Sequence, residues 1–360
     1  MDKLKATLDR IGGLDPVAFQ RAQARLDSLT KPPGSLGRLE EIARRLVAIT
    51  GATRPRVARK TLIVMAADHG VANEGVSAYP QEVTRQMVLN FRRGGAAINV
   101  LARHAGARLL VVDMGVNGDC GAPHKETFFS HKIAPGTRNF AREAAMTPEQ
   151  AVASVQTGIE IVEREIARGA ELIATGDMGI ANTTSSSAIV AAMTGRDPAE
   201  VTGRGTGIND AAHAKKIEVI RAALKLHGLT PDAPRSAQHA LDVLAKVGGF
   251  EIGGLAGVIL GAAAARRPIV LDGFISGAAA LIAWGLCPKA SQFCFAAHQS
   301  VEVGHRAALE TLGLEPLVDF DLRLGEGTGA ALAMHLIEAA ARIYHEMATF
   351  GEAGVSEKNA

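Results

Sequence analysis

Short apolar runs alternate with amphipathic helical segments along most of this chain, and that alternation leaves few folds open. The runs are TLIVMAA (61–67), RLLVVD (108–113), ELIATG (171–176), PIVLDGF (268–274), QFCFAAH (292–298) and PLVDFDL (316–322). The segments between them repeat their apolar residues with a period of about 3.6. One, 147–169, carries a full set of boundary signals. Thr147 stands at the N-cap, Pro148 at the first helical position, Gln150 closes a capping box, and Gly169 follows the last turn. Buried runs joined by helices predict an α/β fold, a parallel sheet of about six strands covered by helices on both faces. The two chain ends read as helix only. We expect segments 1–50 and 329–360 to form a small helical domain beside an α/β domain of 51–328, with the polar tail GEAGVSEKNA frayed.

Composition narrows the class further. Hydrophobic residues make up 47% of the 360, aromatics only 4%, so the core must be built from Ala, Val, Ile and Leu. A net charge of +2 gives no reason to expect nucleic acid. The three cysteines, Cys120, Cys287 and Cys294, have no CxxC spacing, which fits a reducing compartment. The longest apolar stretch, GGLAGVILGAAAA, is shorter than the roughly 20 residues a bilayer span needs. A cytoplasmic protein with no membrane partner is expected.

Parallel sheets bind ligands at the carboxyl ends of their strands. Four of the expected ends carry an aspartate closely followed by glycine: Asp68-His69-Gly70, Asp113-Met114-Gly115, Asp177-Met178-Gly179 and Asp272-Gly273. Turn chemistry explains any one of them. Together they read as the rim of one polar site. The motif RLGEGTGAALA places Glu326 between Gly325 and Gly327 at the start of an apolar helix. Alternating glycines let backbone approach a ligand closely. The motif lacks the lysine of a phosphate loop and the second acid of a dinucleotide fold. Locally, Glu326 is either a helix cap or a carboxylate brought to a ligand.

Two further segments carry chemistry. GDMGIANTTSSSAIV (176–190) puts six consecutive polar residues, Asn182 to Ser187, at a helix start, more than capping needs, and reads as an anion site. GRGTG (203–207), followed by Lys215 and Lys216, offers cations; they are either a solvated helix face or include one lysine that reaches a phosphate. Tyr79 and Met87, in the long polar loop after 67 and the helix opened by Pro80, suit contact with a flat ring. His69 and His298 sit at strand ends, but no HxH or HxxxH spacing supports a metal, and none is expected.

The ordered motifs KPPGSLGRLE, AADHGVANEGVSAYPQEVT, GGAAINVLA, GDMGIANTT, KVGGFEIGGLAGVILGAA, VLDGFISGAAAL and RLGEGTGAALA resemble those of the nicotinate-nucleotide–dimethylbenzimidazole phosphoribosyltransferase family. The resemblance runs from Lys31 to about Ala340. It implies transfer of phosphoribosyl from nicotinate mononucleotide to 5,6-dimethylbenzimidazole, without metal or other cofactor, on small-molecule substrates, in a homodimer. It implies Glu326 as the catalytic base and Asp177 as a second catalytic residue beside the ribose or base, where relatives often carry glutamate. Lys216 then faces the phosphate, with Gly179, Asn182, Thr183, Ser300, Gly325 and Gly327 framing the nucleotide, and Tyr79, Met87 and Leu324 at the benzimidazole. A non-catalytic nucleotide sensor and a Rossmann oxidoreductase are the rival readings; an intact Glu326 and the missing fingerprint speak against them.

Overall fold

The computed structural model describes residues 2–124, 126–230 and 236–356. Seven strands form one sheet: β1 (Lys60–Ala67), β2 (Ala107–Gly115), β3 (Phe128–Ser130), β4 (Leu172–Met178), β5 (Ile269–Leu271), β6 (Cys294–Gln299) and β7 (Pro316–Asp319). Their order is β3-β2-β1-β4-β5-β6-β7, and every pairing is parallel. The expected α/β architecture is present with one strand more than the apolar runs announced. β3 has only three residues at the sheet edge, too few for a periodic signal. The interior strand β1 is buried at every position, as a strand covered on both faces must be.

The helix Phe250–Ala264 covers β1, β2 and β4 on one face and is itself buried on all sides. The helix Pro148–Ala167 packs over it, with the Thr147–Gln150 capping box formed at its start. The two backbones approach unusually closely. A Cβ on Gly158 would lie 1.8 Å from the Gly254 carbonyl oxygen, and one on Gly257 would lie 2.0 Å from that of Val155. We therefore expect Gly158→Ala to lower stability by about 1–3 kcal/mol, the usual cost of overpacking. A urea midpoint unchanged from wild type would contradict this.

On the other face lies the helix Thr328–Glu346, against β4, β5 and β6. The helix Arg38–Thr50 packs against it and against the helix Pro16–Ser28. The helices Pro16–Ser28, Arg38–Thr50 and Thr328–Glu346 thus pack in series on this face, whereas the first helix, Asp2–Asp9, packs against the helices Pro148–Ala167 and Phe250–Ala264. The tail begins in a short helix, Phe350–Ala353, set by a Thr349–Glu352 capping box; its last four residues lie outside the described ones. Pro80 does not open a helix. It sits in a turn, and the helix begins at Val83.

Candidate active site

All carboxyl ends of the sheet point one way, and a cavity of about 500 Å³ opens there. Its walls come from the ends of β4, β5 and β6, from the segment after β7, and from Tyr79 in the loop after β1. The four strand-end aspartates divide the work, and only Asp177 lines the cavity. Asp68 accepts the Asn117 N–H at 2.6 Å. Asp113 accepts the N–H groups of Gly115 at 3.0 Å and Val116 at 2.8 Å. Both therefore follow the turn reading, holding the segment after β2, rather than the reading of one shared rim.

Asp272 has a different task. Its two carboxylate oxygens accept the N–H groups of Gly327 at 3.0 Å and Ala330 at 2.9 Å. It caps the helix Thr328–Glu346 from a neighbouring strand end, so Glu326 is not needed as the cap. Glu326 adopts a left-handed backbone at φ 63°, between Gly325 at 77° and Gly327 at 91°. A non-glycine residue held there stores roughly 1–3 kcal/mol of strain, a cost found mostly at functional positions. The loop rests directly on β4. A Cβ on Gly176 would lie 2.6 Å from the Glu326 carbonyl oxygen, so only glycine allows that approach.

The Glu326 side chain is buried, with Oε2 lacking any hydrogen-bond partner. Burial, reinforced by the Asp272 carboxylate, pushes its carboxyl up to about 7, while the Ile98 N–H, in the first turn of the helix Ala97–His104, opposes the rise. Its neighbour Asp177 is raised well above the usual carboxylate range by burial and then by Asp272. Asp177 Oδ2 accepts from Asn182 Nδ2 at 2.9 Å, and Oδ1 is unpartnered. A Cβ on Gly325 would lie 3.3 Å from both Asp177 oxygens.

At the other end of the cavity the helix Asn182–Thr194 begins without a side-chain cap, after Ala181 in a left-handed conformation. Lys216 reaches this point from the helix Asp210–Leu226, fully buried. Its Nζ donates to Thr183 Oγ1 at 3.0 Å and to the Gly203 carbonyl at 3.2 Å. Burial lowers its pKa to about 8, against the raising effect of Glu302.

A family model described as phosphoribosyltransferase matches residues 11–355. The chain is 61% identical over 358 residues to the nicotinate-nucleotide–dimethylbenzimidazole phosphoribosyltransferase of Roseiflexus castenholzii, covering 99% of each. It is 59% identical to that of Chloroflexus aggregans, again with 99% of each chain covered. The crystal structure of CobT from Thermus thermophilus superposes with a TM-score of 0.90 at 51% identity, covering 95% of this chain and all of the other. The chain belongs to the nicotinate-nucleotide–dimethylbenzimidazole phosphoribosyltransferase family.

Within this phosphoribosyltransferase scaffold the candidate residues fall into two groups. Asp177, Gly179, Asn182, Thr183, Ser300, Gly325, Tyr79 and Leu324 all line the cavity. Glu326 lies immediately behind Gly325, and Lys216 behind Thr183 and Gly205. Gly327 and Met87 stand apart from the cavity wall: the Gly327 N–H is committed to Asp272, and Met87 packs against the hydrophobic core. The six-residue polar run contributes less than its length suggested. Only Asn182 and Thr183 face the cavity, whereas the Thr184, Ser186 and Ser187 hydroxyls are buried in a helix enclosed on all sides.

Three side chains at the site, Glu251, His305 and Glu302, had no local signal, and local sequence assigned Ser185, His69 and His298 no such partners. Ser185 Oγ lies 2.9 Å from His69 Nδ1, whose Nε2 lies 2.6 Å from Glu251 Oε1, all three fully buried. A Cβ on Gly179 would meet the His69 ring at 3.3 Å, so this chain supports the turn after β4 from below. His298 lines the cavity and acts electrostatically on Asp272. His305 accepts the Ser300 N–H on Nδ1 at 3.0 Å, and burial drives it down to about 3, leaving it neutral. Glu302 completes the set. Only contacts between distant segments reveal these roles.

Proposed function

We propose that this chain transfers the phosphoribosyl group of nicotinate mononucleotide to 5,6-dimethylbenzimidazole, giving α-ribazole 5′-phosphate and nicotinate. The observation that carries the proposal is Glu326: a strained, buried carboxylate with one free oxygen, beside the cavity wall, in a member of this family. One ring nitrogen of the benzimidazole attacks C1′ with its lone pair, on the face opposite the leaving pyridinium. The C1′–N bond to the pyridinium breaks, and its electrons neutralise the ring nitrogen. Nicotinate therefore leaves without needing a proton there. The N–H on the other benzimidazole nitrogen becomes acidic as the ring gains positive charge. Glu326 takes that proton as general base. In-line attack turns the β-nucleotide into an α-product.

The remaining residues fit supporting roles on this reading. The uncapped start of the helix Asn182–Thr194 and the Lys216 ammonium favour a phosphate at that end. Tyr79 and Leu324, both half exposed at the cavity, supply apolar surface for a flat base. Asp177, whose burial favours the protonated carboxyl, is suited to donate to a ribose or base acceptor. Incubation with nicotinate mononucleotide and dimethylbenzimidazole, with detection of free nicotinate, tests the whole. Mononucleotide bound with no nicotinate released would favour the non-catalytic sensor reading. A panel of purines, phenols and other benzimidazoles ranks the acceptors.

We also infer a homodimer acting in a reducing cytoplasm, with the helices Pro16–Ser28, Arg38–Thr50 and Thr328–Glu346 as the small helical domain expected of segments 1–50 and 329–360. The unpaired Cys120, Cys287 and Cys294 support the compartment. Among the described residues no helix is long and apolar enough to cross a membrane. Sedimentation should show a dimer at micromolar concentration; a monomer across that range would reject the assembly.

A further inference from the structure

Glu302 has no part in the chemistry above, yet it is a buried acid in the cavity wall, 6% exposed. It stands at the start of the helix Val303–Leu312, after β6. Its Oε1 accepts the Gly205 N–H at 2.8 Å. Its Oε2 has no hydrogen-bond partner and lies so close to Gly203 that a Cβ there would be 2.2 Å away. Lys216 holds the same short loop from the other side, donating to the Gly203 carbonyl. A Cβ on Gly205 would lie 3.4 Å from the Lys216 Nζ and 2.7 Å from Thr183 Oγ1. The glycines at 203 and 205 therefore let one loop fit between a carboxylate and an ammonium.

The charges around this corner are otherwise arranged outward. Arg204 pairs with Asp210 at the surface. Lys215 and Arg323 are exposed. The His213 ring binds the Thr202 carbonyl. The hydrogen-bond acceptors of Lys216 are both neutral, and Glu302 is the acid that acts on it. A buried ammonium without a counter-charge loses its proton.

Building on the phosphoribosyl-transfer reading, we propose that Glu302 is a positioning residue for the nucleotide phosphate, holding the 203–207 loop in place and keeping Lys216 cationic until the phosphate arrives. Glu302 does not itself touch the phosphate, which it would repel. Its contribution lies in the free protein, where burial already draws Lys216 down to about 8 and the carboxylate opposes the fall. Once bound, the phosphate takes over as the counter-charge.

Glu302→Gln keeps the shape and the acceptor for Gly205 while removing the charge. Binding of nicotinate mononucleotide should be measured by calorimetry from pH 6 to 9, alongside nicotinate release by the wild type. Wild-type affinity should fall as pH rises through about 8, where Lys216 loses its proton. In the variant that fall should begin roughly one pH unit lower, a shift typical of losing one nearby opposite charge. The effect should appear in the nucleotide KM rather than in kcat, and Glu302→Asp, which keeps the charge, should move the profile back. Superimposable profiles in a wild type that releases nicotinate overturn this inference alone. So does a loss of equal size at every pH with a matching rise in the benzimidazole KM, which marks structural damage. A wild type that binds no mononucleotide at any pH overturns the parent reading with it.

Discussion

Glu326→Gln should reduce kcat by about 10²–10⁴-fold, the usual cost of losing one general base, while nucleotide affinity stays near wild type. The substitution keeps the volume and one acceptor oxygen but cannot accept the benzimidazole proton. The protein's own geometry limits the alternatives. The Glu326 backbone is held left-handed by its glycine neighbours, and the helix after it is capped by Asp272, so glutamine should not disturb the helix start. The wild type should also show a characteristic pH dependence. A base works only when ionised. With its proton affinity raised by burial to about 7, Glu326 should be mostly protonated below that pH and ionised above it. kcat/KM, which reports the free protein's ionisation, should therefore climb as pH passes about 7, and the glutamine variant should lose that limb. Turnover near the wild-type rate at saturating dimethylbenzimidazole would remove Glu326 from the chemistry.

The parts of this site that sequence reveals are those written in consecutive residues. The helix from Pro148 to Ala167 announces itself because its cap, its proline and its box lie within four positions. The parallel sheet announces itself because strands buried on both faces must be apolar throughout. What stays hidden joins distant segments. Gly325-Glu326-Gly327 looks like a helix start seeking a cap, and the true cap is Asp272, 55 residues upstream. The polar run from Asn182 to Ser187 looks like one anion site. Its helix is enclosed on every side, however, so Ser185 turns inward to His69 and only the first two residues reach the cavity. The cations after 203 divide for the same reason. Arg204 and Lys215 lie at the surface, while Lys216, one residue further round the helix, points into the fold.

Lys216→Met should raise the KM for nicotinate mononucleotide by roughly 10–150-fold, with a much smaller effect on the KM for dimethylbenzimidazole. The estimate converts the roughly 1.5–3 kcal/mol of a hydrogen bond to a charged group into a binding ratio. Methionine retains most of the apolar length that fills the space between the helix Asp210–Leu226 and Thr183, so packing changes little. What disappears is the charge, together with the donor to Thr183 and to the Gly203 carbonyl. Both are neutral acceptors, Thr183 already lies at the cavity, where water can replace the lost donor, and the Glu302 carboxylate, left without its counter-charge, keeps the Gly205 N–H and its place in the cavity wall. The direction of selectivity is the decisive readout. Lys216 sits behind Thr183 and Gly205, whereas Glu326 sits behind Gly325. A lysine that serves the phosphate therefore separates the two substrates: the nucleotide KM rises and the benzimidazole KM holds. If both constants rise together, Lys216 is a structural lysine, and the anion at this end of the cavity is held by the start of the helix Asn182–Thr194 alone.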